Sequence, residues 1–156
     1  MSQYSDRIMS FLSKNTIKAE FLKYDKSVHS VQEAVEVSGI PVEKFTKSIV
    51  MLTSDNNIVI AVVAAESRAS TERVRKALNL SLRPRLASAE ESEKYLRQQL
   101  GGNSPLNAFK AKVLLDQKVL EKDWVVVGGG DDQSLVKISI EELKRVVPYT
   151  EVRVRK

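Results

Sequence analysis

The chain has 156 residues, with 25 Lys and Arg against 20 Asp and Glu for a net charge of +5, a single histidine and no cysteine. That length suits one domain, residues 1–156, able to bury roughly two-thirds of the surface its unfolded chain exposes. The missing cysteine excludes disulfides, thiolate nucleophiles and sulfur-ligated zinc, and the basic balance suits a polyanionic partner.

The N-terminal stretch sets Asp6, Arg7 and Lys14 among Tyr4, Ile8, Phe11 and Leu12, which is not the basic-then-apolar order of a signal peptide. The apolar run 58–65 ends after eight residues at Glu66, well short of the roughly 20 needed to cross a bilayer. A cytoplasmic protein with no membrane partner is therefore expected.

Tyr4, Ile8, Phe11 and Leu12 recur at helical spacing, so residues 2–14 read as an amphipathic helix. Residues 20–24 follow as a short strand. Ser30 with Glu33 forms a capping box that opens a second helix, ended by Gly39 and Pro41. Residues 46–53 and 58–64 are β-rich runs joined by Ser54, Asp55, Asn56 and Asn57, a hairpin signal that asks for no further strand partner. Val74, Ala77 and Leu78 mark a helix from about Thr71, and 82–86 is an extended piece broken by Pro84. Ser88 with Glu91 opens a helix expected to reach about Gln99 and stop at Gly101 and Gly102. Strands are expected at 112–116, 123–127 and 134–138. Ser139 with Glu142 then opens a helix to about Val146, and 151–155 reads as a last strand.

Several features admit both a structural and a chemical use. Lys47 alternates onto the same strand face as Ile49 and Met51, so it either snorkels to water or lines a pocket with its ammonium ready for a phosphate or a carbonyl oxygen. Gly101, Gly102, Asn103, Ser104 and Pro105 are either a helix C-cap and turn or a loop whose amides stabilise an oxyanion. Ser104 has no base beside it in sequence, which argues against a serine nucleophile. His29 sits just before the Ser30 cap, and any Ser/His/Asp triad would have to use it. Gly128, Gly129 and Gly130 with Asp131 and Asp132 lack the Lys and Ser/Thr of a P-loop and read as a turn. Arg68, Arg73, Arg75, Lys76, Arg83 and Arg85 form either a phosphate grip or a solvated charged face.

Taken in order, the helix from Val31 followed by Gly39, Lys47 in the phrase around Phe45, Gly102 with Ser104 and Pro105, and Asp116 at a strand end resemble the YbaK/ProX prolyl-tRNA editing domain family. The resemblance spans roughly residues 21–147. It implies a mixed α+β fold, a central and mostly antiparallel barrel-like sheet surrounded by helices. It also implies a trans-editing deacylase that hydrolyses mischarged aminoacyl-tRNA with no metal or organic cofactor. Lys47, Gly101, Gly102 and Ser104 are the implied catalytic positions. Phe45, Asn103, Pro105, Asp116, Arg73 and Arg75 are the expected substrate contacts. The tRNA acceptor end is the implied partner, with an aminoacyl-tRNA synthetase as a second. Three positions depart from the family pattern: Tyr24 stands where relatives often carry histidine, Asp131 and Asp132 where many carry a basic residue, and Asn107 where many carry glycine. A non-catalytic tRNA or RNA-binding module of the same fold is the alternative reading, and a domain that recruits a synthetase is a third.

Overall fold

The computed structural model describes residues 2–156. Helix α1 (Gln3–Lys14) leads into strand β1 (Ala19–Lys23) and helix α2 (Val31–Ser38). The hairpin β2 (Thr46–Leu52) and β3 (Ile58–Ala64) precedes α3 (Thr71–Ala77), β4 (Arg85–Leu86) and α4 (Ala89–Leu96). The chain then runs through β5 (Ala111–Leu115), the short α5 (Gln117–Leu120), β6 (Trp124–Gly128), β7 (Ser134–Ser139), α6 (Ile140–Val146) and β8 (Thr150–Glu151).

These strands make two sheets, one ordered β1-β7-β6 and one ordered β4-β2-β3-β5-β8. The smaller sheet is antiparallel throughout. In the larger, β2 pairs antiparallel with β3 and β4, whereas β3–β5 and β5–β8 are parallel. The expected barrel is therefore not formed. Closure needs an uninterrupted ladder around the ring. Here β4 and β8 are two residues each, and the sheets touch through one parallel bridge, Phe45 to Val126.

Strand β3 shows why its sequence is apolar at every position. Ile58, Ile60 and Val62 point into one core with Ile8, Leu12, Val125 and Ile138, while Val59, Ala61 and Val63 point into another with Met51, Val74 and Val154. A strand covered on both faces reads as a continuous hydrophobic run rather than an alternating one. Each fully buried Val or Ile contributes about 1.5–3 kcal/mol from leaving water. A third cluster, with Val28, Ala34, Phe45, Val126 and Leu135, lies beneath α2 on the outer face of the smaller sheet.

Capping follows the sequence closely. Ser30 with Glu33 and Ser88 with Glu91 form complete boxes. Ser139 accepts from Glu142 N, but the Glu142 carboxylate reaches Lys18 N at 2.7 Å and Arg145 instead of closing the box. Helix α4 ends at Leu96, with Arg97 left-handed at φ 53, rather than near Gln99. Gln98 is drawn away into buried hydrogen bonds with Ser104 and Leu106. The 58–64 run does take a further partner, because its edge pairs with β5. The last strand is confined to Thr150–Glu151, and Arg155 makes an isolated bridge to Ala69.

Candidate active site: a cleft where the two sheets part

The seam between the sheets is narrow. Phe45 bridges Val126, and Thr46 Oγ1 donates to Val126 O at 2.8 Å. Beyond that point no ladder joins β2 to β6, and a cleft of about 380 Å³ opens between residues 45–49 and 126–128. Buried Val28, Ala34, Phe45, Val126 and Leu135 form its apolar floor. Polar groups enter from the rim, chiefly His29, Lys47, Gly101 and Asn103.

Among the described residues, Lys47 is the only Lys or Arg lining this cleft. It makes no ion pair among the described residues. Burial first, and the nearby charge of Arg68 second, hold its ammonium below the ordinary lysine pKa. Hairpin register explains the second effect. Lys47 pairs with Val63 and Thr46 with Ala64, while Ala65 N donates to Phe45 O, so the turn after β3 carries Arg68 back beside the start of β2. Sequence placed Arg68 in a basic stretch but gave no hint of this proximity. Among the described residues no Asp or Glu lines the cleft, which leaves His29 as the one lining side chain of a type suited to general-base work. The Ser48 hydroxyl is buried and has no hydrogen-bond partner among the described residues.

The glycine-containing loop is held from behind by residues that sequence did not single out. Gln98 donates through Nε2 to Ser104 O at 3.0 Å and Leu106 O at 3.2 Å, and its Oε1 accepts from Ser104 N at 2.9 Å. Asn103 Nδ2 donates to Ser92 Oγ at 2.7 Å, and Ser92 Oγ donates to Gln98 O at 3.0 Å. A buried network with every member paired fixes one loop geometry. It also sorts the loop amides. Gly102 N is committed to Gln99 O and Ser104 N to Gln98, whereas Gly101 N and Asn103 N have no acceptor among the described residues.

The late glycines serve close packing. A Cβ on Gly128 would meet Asn103 O at 2.2 Å, and one on Gly102 would meet Asp131 O at 2.2 Å, so the 101–103 and 128–131 backbones lie directly against each other. Asp131 is buried and accepts from Ser2 Oγ at 2.5 Å and Gln133 N at 3.0 Å. Burial pushes its pKa up, these hydrogen bonds outweigh it, and the carboxyl ends below its ordinary value. Asp131 thus ties the cap of α1 to the β6–β7 turn. Asn107 adopts φ 56, the left-handed region that glycine favours and Asn tolerates. Tyr24 is half-buried beside the α2 cluster and does not line the cleft.

Of the residues expected at the site, the cleft gathers Phe45, Lys47, Gly101 and Asn103. Gly102, Ser104 and Pro105 are buried just behind it and shape the loop. Asp116 lies elsewhere, fully buried, accepting from Val154 N, Arg155 N and the Arg155 guanidinium. Arg73 and Arg75 are on α3, outside the cleft, and Arg75 is engaged with Glu72 at 2.8 Å and Leu80 O. Among the described residues no group of three or more His, Asp or Glu could hold a metal.

The sequence profile of the aminoacyl-tRNA editing domain matches residues 25–146. No curated protein matches the sequence. Among solved structures, a candidate trans-editing enzyme for prolyl tRNA synthetase superposes with a TM-score of 0.88 at 18% identity, covering 100% of this chain and 99% of its own. A hypothetical protein gives 0.86 at 19% identity over 96% of this chain and 99% of its own. A structure from work on grafting linear epitopes onto scaffold proteins gives 0.87 at 15% identity, covering 100% and 99%. At such identities the structural likeness is one of fold, while the profile spans most of the chain, its cleft walls and its glycine-containing loop: the chain belongs to the aminoacyl-tRNA editing domain family of the YbaK/ProX type.

Proposed function

We propose that this chain is a cytoplasmic trans-editing deacylase, acting as one domain that hydrolyses the ester of a mischarged aminoacyl-tRNA. The observation that carries the reading is Lys47, a half-buried ammonium with no carboxylate partner among the described residues, on the rim of an apolar cleft. Such a group gains from an anionic or carbonyl ligand that replaces lost hydration. The terminal nucleotide of the acceptor end would meet Lys47, and the acyl side chain would lie over Phe45, Val126 and Leu135.

Water then attacks the ester carbonyl carbon. The oxygen that becomes anionic is met by Gly101 N and Asn103 N, the amides within residues 101–105 that have no acceptor among the described residues. Collapse breaks the bond to the ribose oxygen, which leaves with a proton, and the free amino acid departs. The proton from water passes to His29 or to a basic group of the substrate itself. An aminoacyl ester is already activated, so positioning and oxyanion stabilisation supply most of what the reaction needs.

The test is amino acid release from a panel of mischarged tRNAs by wild type and Lys47→Ala. Release by wild type on some members, reduced at least about 100-fold in the variant, is the expected result. No release on any member, with tRNA binding intact, would replace this reading with a non-catalytic tRNA-binding module.

A further inference from the structure

A second concave surface lies apart from the cleft. Two adjoining hollows, of about 600 and 240 Å³, share Arg7, Asn107 and Phe109. Phe109 is 64% exposed, and its ring stands edge-on to Phe11 with centroids 5.6 Å apart and planes at 64°. A single exposed apolar residue is ordinary, but this one is held against a buried ring and surrounded by cations. Arg7 and Lys14 come from α1, Lys94 from α4, and Arg97 and Lys110 from the 97–110 connection.

None of those five cations forms an ion pair among the described residues, in contrast to Arg75, Arg83, Arg85 and Arg145, which are each matched to a glutamate. Among the described residues, Asp6 is the only carboxylate lining either hollow. A flat apolar face among unmatched positive charges fits a ligand that alternates planar rings with anions. Single-stranded RNA has that chemistry, since bases stack on aromatic rings while phosphates take the Lys and Arg side chains.

We propose that this surface binds RNA, with one unpaired base stacked on Phe109 and its flanking phosphates on Arg7, Lys94 and Lys110. The 97–110 connection links it to the cleft, supplying Gly101 and Asn103 to one and Arg97, Asn107 and Phe109 to the other. That the RNA is a tRNA rests on the editing reading; the stacking and charge argument does not.

The experiment is fluorescence anisotropy of end-labelled, uncharged tRNA over a range of KCl concentrations. Phe109→Ala weakens binding at least about fivefold with little change in salt dependence, and Phe109→Trp restores it. The triple change Arg7→Gln, Lys94→Gln and Lys110→Gln flattens the log–log salt slope by about two to three. Wild-type affinity and slope in both Phe109→Ala and the triple variant would overturn the proposal. So would unchanged tRNA binding accompanied by lost binding to vesicles containing phosphatidylserine. Uncharged tRNA requires no turnover, so failure of the deacylase reading leaves this measurement intact, and deacylation sensitive to Lys47→Ala with binding blind to both Phe109→Ala and the triple variant would overturn only the surface.

Discussion

The imidazole of His29 occupies the space that a side chain at residue 101 would need. A Cβ built on Gly101 would lie 2.0 Å from Nδ1 and 2.6 Å from Cε1, and Gly101 itself sits at φ 94. Helix α2's lead-in and the glycine-containing loop are thereby in direct contact across the cleft mouth.

Gly101→Ala should therefore fail for two separable reasons, a collision with the ring and a backbone conformation that L-residues resist at about 1–3 kcal/mol. Adding His29→Ala removes the collision and leaves the strain. The double variant is expected to melt above Gly101→Ala and below His29→Ala in thermal unfolding. Equal melting of the two Gly101 variants would show that the ring simply swings aside.

Much of this fold is legible in the sequence because its signals are local. Ser30 with Glu33 and Ser88 with Glu91 are satisfied within four residues, and the 58–64 strand matches its expected bounds. What was not legible depends on tertiary partners. The sheets part instead of closing because a single bridge, Phe45 to Val126, joins them, and no local pattern encodes how far a ladder continues. Helix α4 stops early because Gln98 is bonded to Ser104 and Leu106 rather than extending the helix. Lys47 was visible as a lysine on an apolar face, whereas its neighbour Arg68 was not, since their proximity arises from hairpin register.

Gln98 is the residue on which the loop depends. Gln98→Leu would leave Ser104 N and the carbonyls of Ser104 and Leu106 without partners in a buried setting. Each such loss costs about 1–3 kcal/mol, so urea denaturation should show destabilisation of about 3 kcal/mol or more. Turnover should fall further than stability explains, because Asn103 is positioned through the same network. A variant of wild-type stability would mean that water replaces the amide.

The pH dependence of hydrolysis should carry the signature of Lys47. Its ammonium form exists below its own pKa, and burial together with Arg68 places that pKa under the ordinary 10.5. Activity is expected to decline as pH rises through that lowered value, once spontaneous ester hydrolysis is subtracted. Arg68→Gln removes the repulsion and should move the alkaline limb upward. A limb unmoved by Arg68→Gln would assign it to another group.

Asp116 should act on stability and leave substrate selectivity alone. It is fully buried and accepts from Val154 N at 2.8 Å, Arg155 N at 3.1 Å, the Arg155 guanidinium at 2.8 Å and Lys118 N at 3.1 Å. Burial raises its pKa, these four bonds outweigh it, and the net shift is downward. Asp116→Ala leaves the chain terminus untethered and the Arg155 charge unmatched, at a cost of about 3–5 kcal/mol. A carboxyl whose folded pKa is depressed stabilises the fold above its unfolded pKa, and that contribution disappears as pH falls through the folded value. Glu72, Glu91 and Glu142, each held at about 2 from an ordinary 4.5 by arginine partners, act in the same direction. Thermal stability should therefore drop steadily between about pH 4.5 and 2, and Asp116→Asn should flatten part of that drop while the relative rates on different mischarged tRNAs stay unchanged. Altered selectivity in Asp116→Asn would instead connect the C-terminal segment to the cleft.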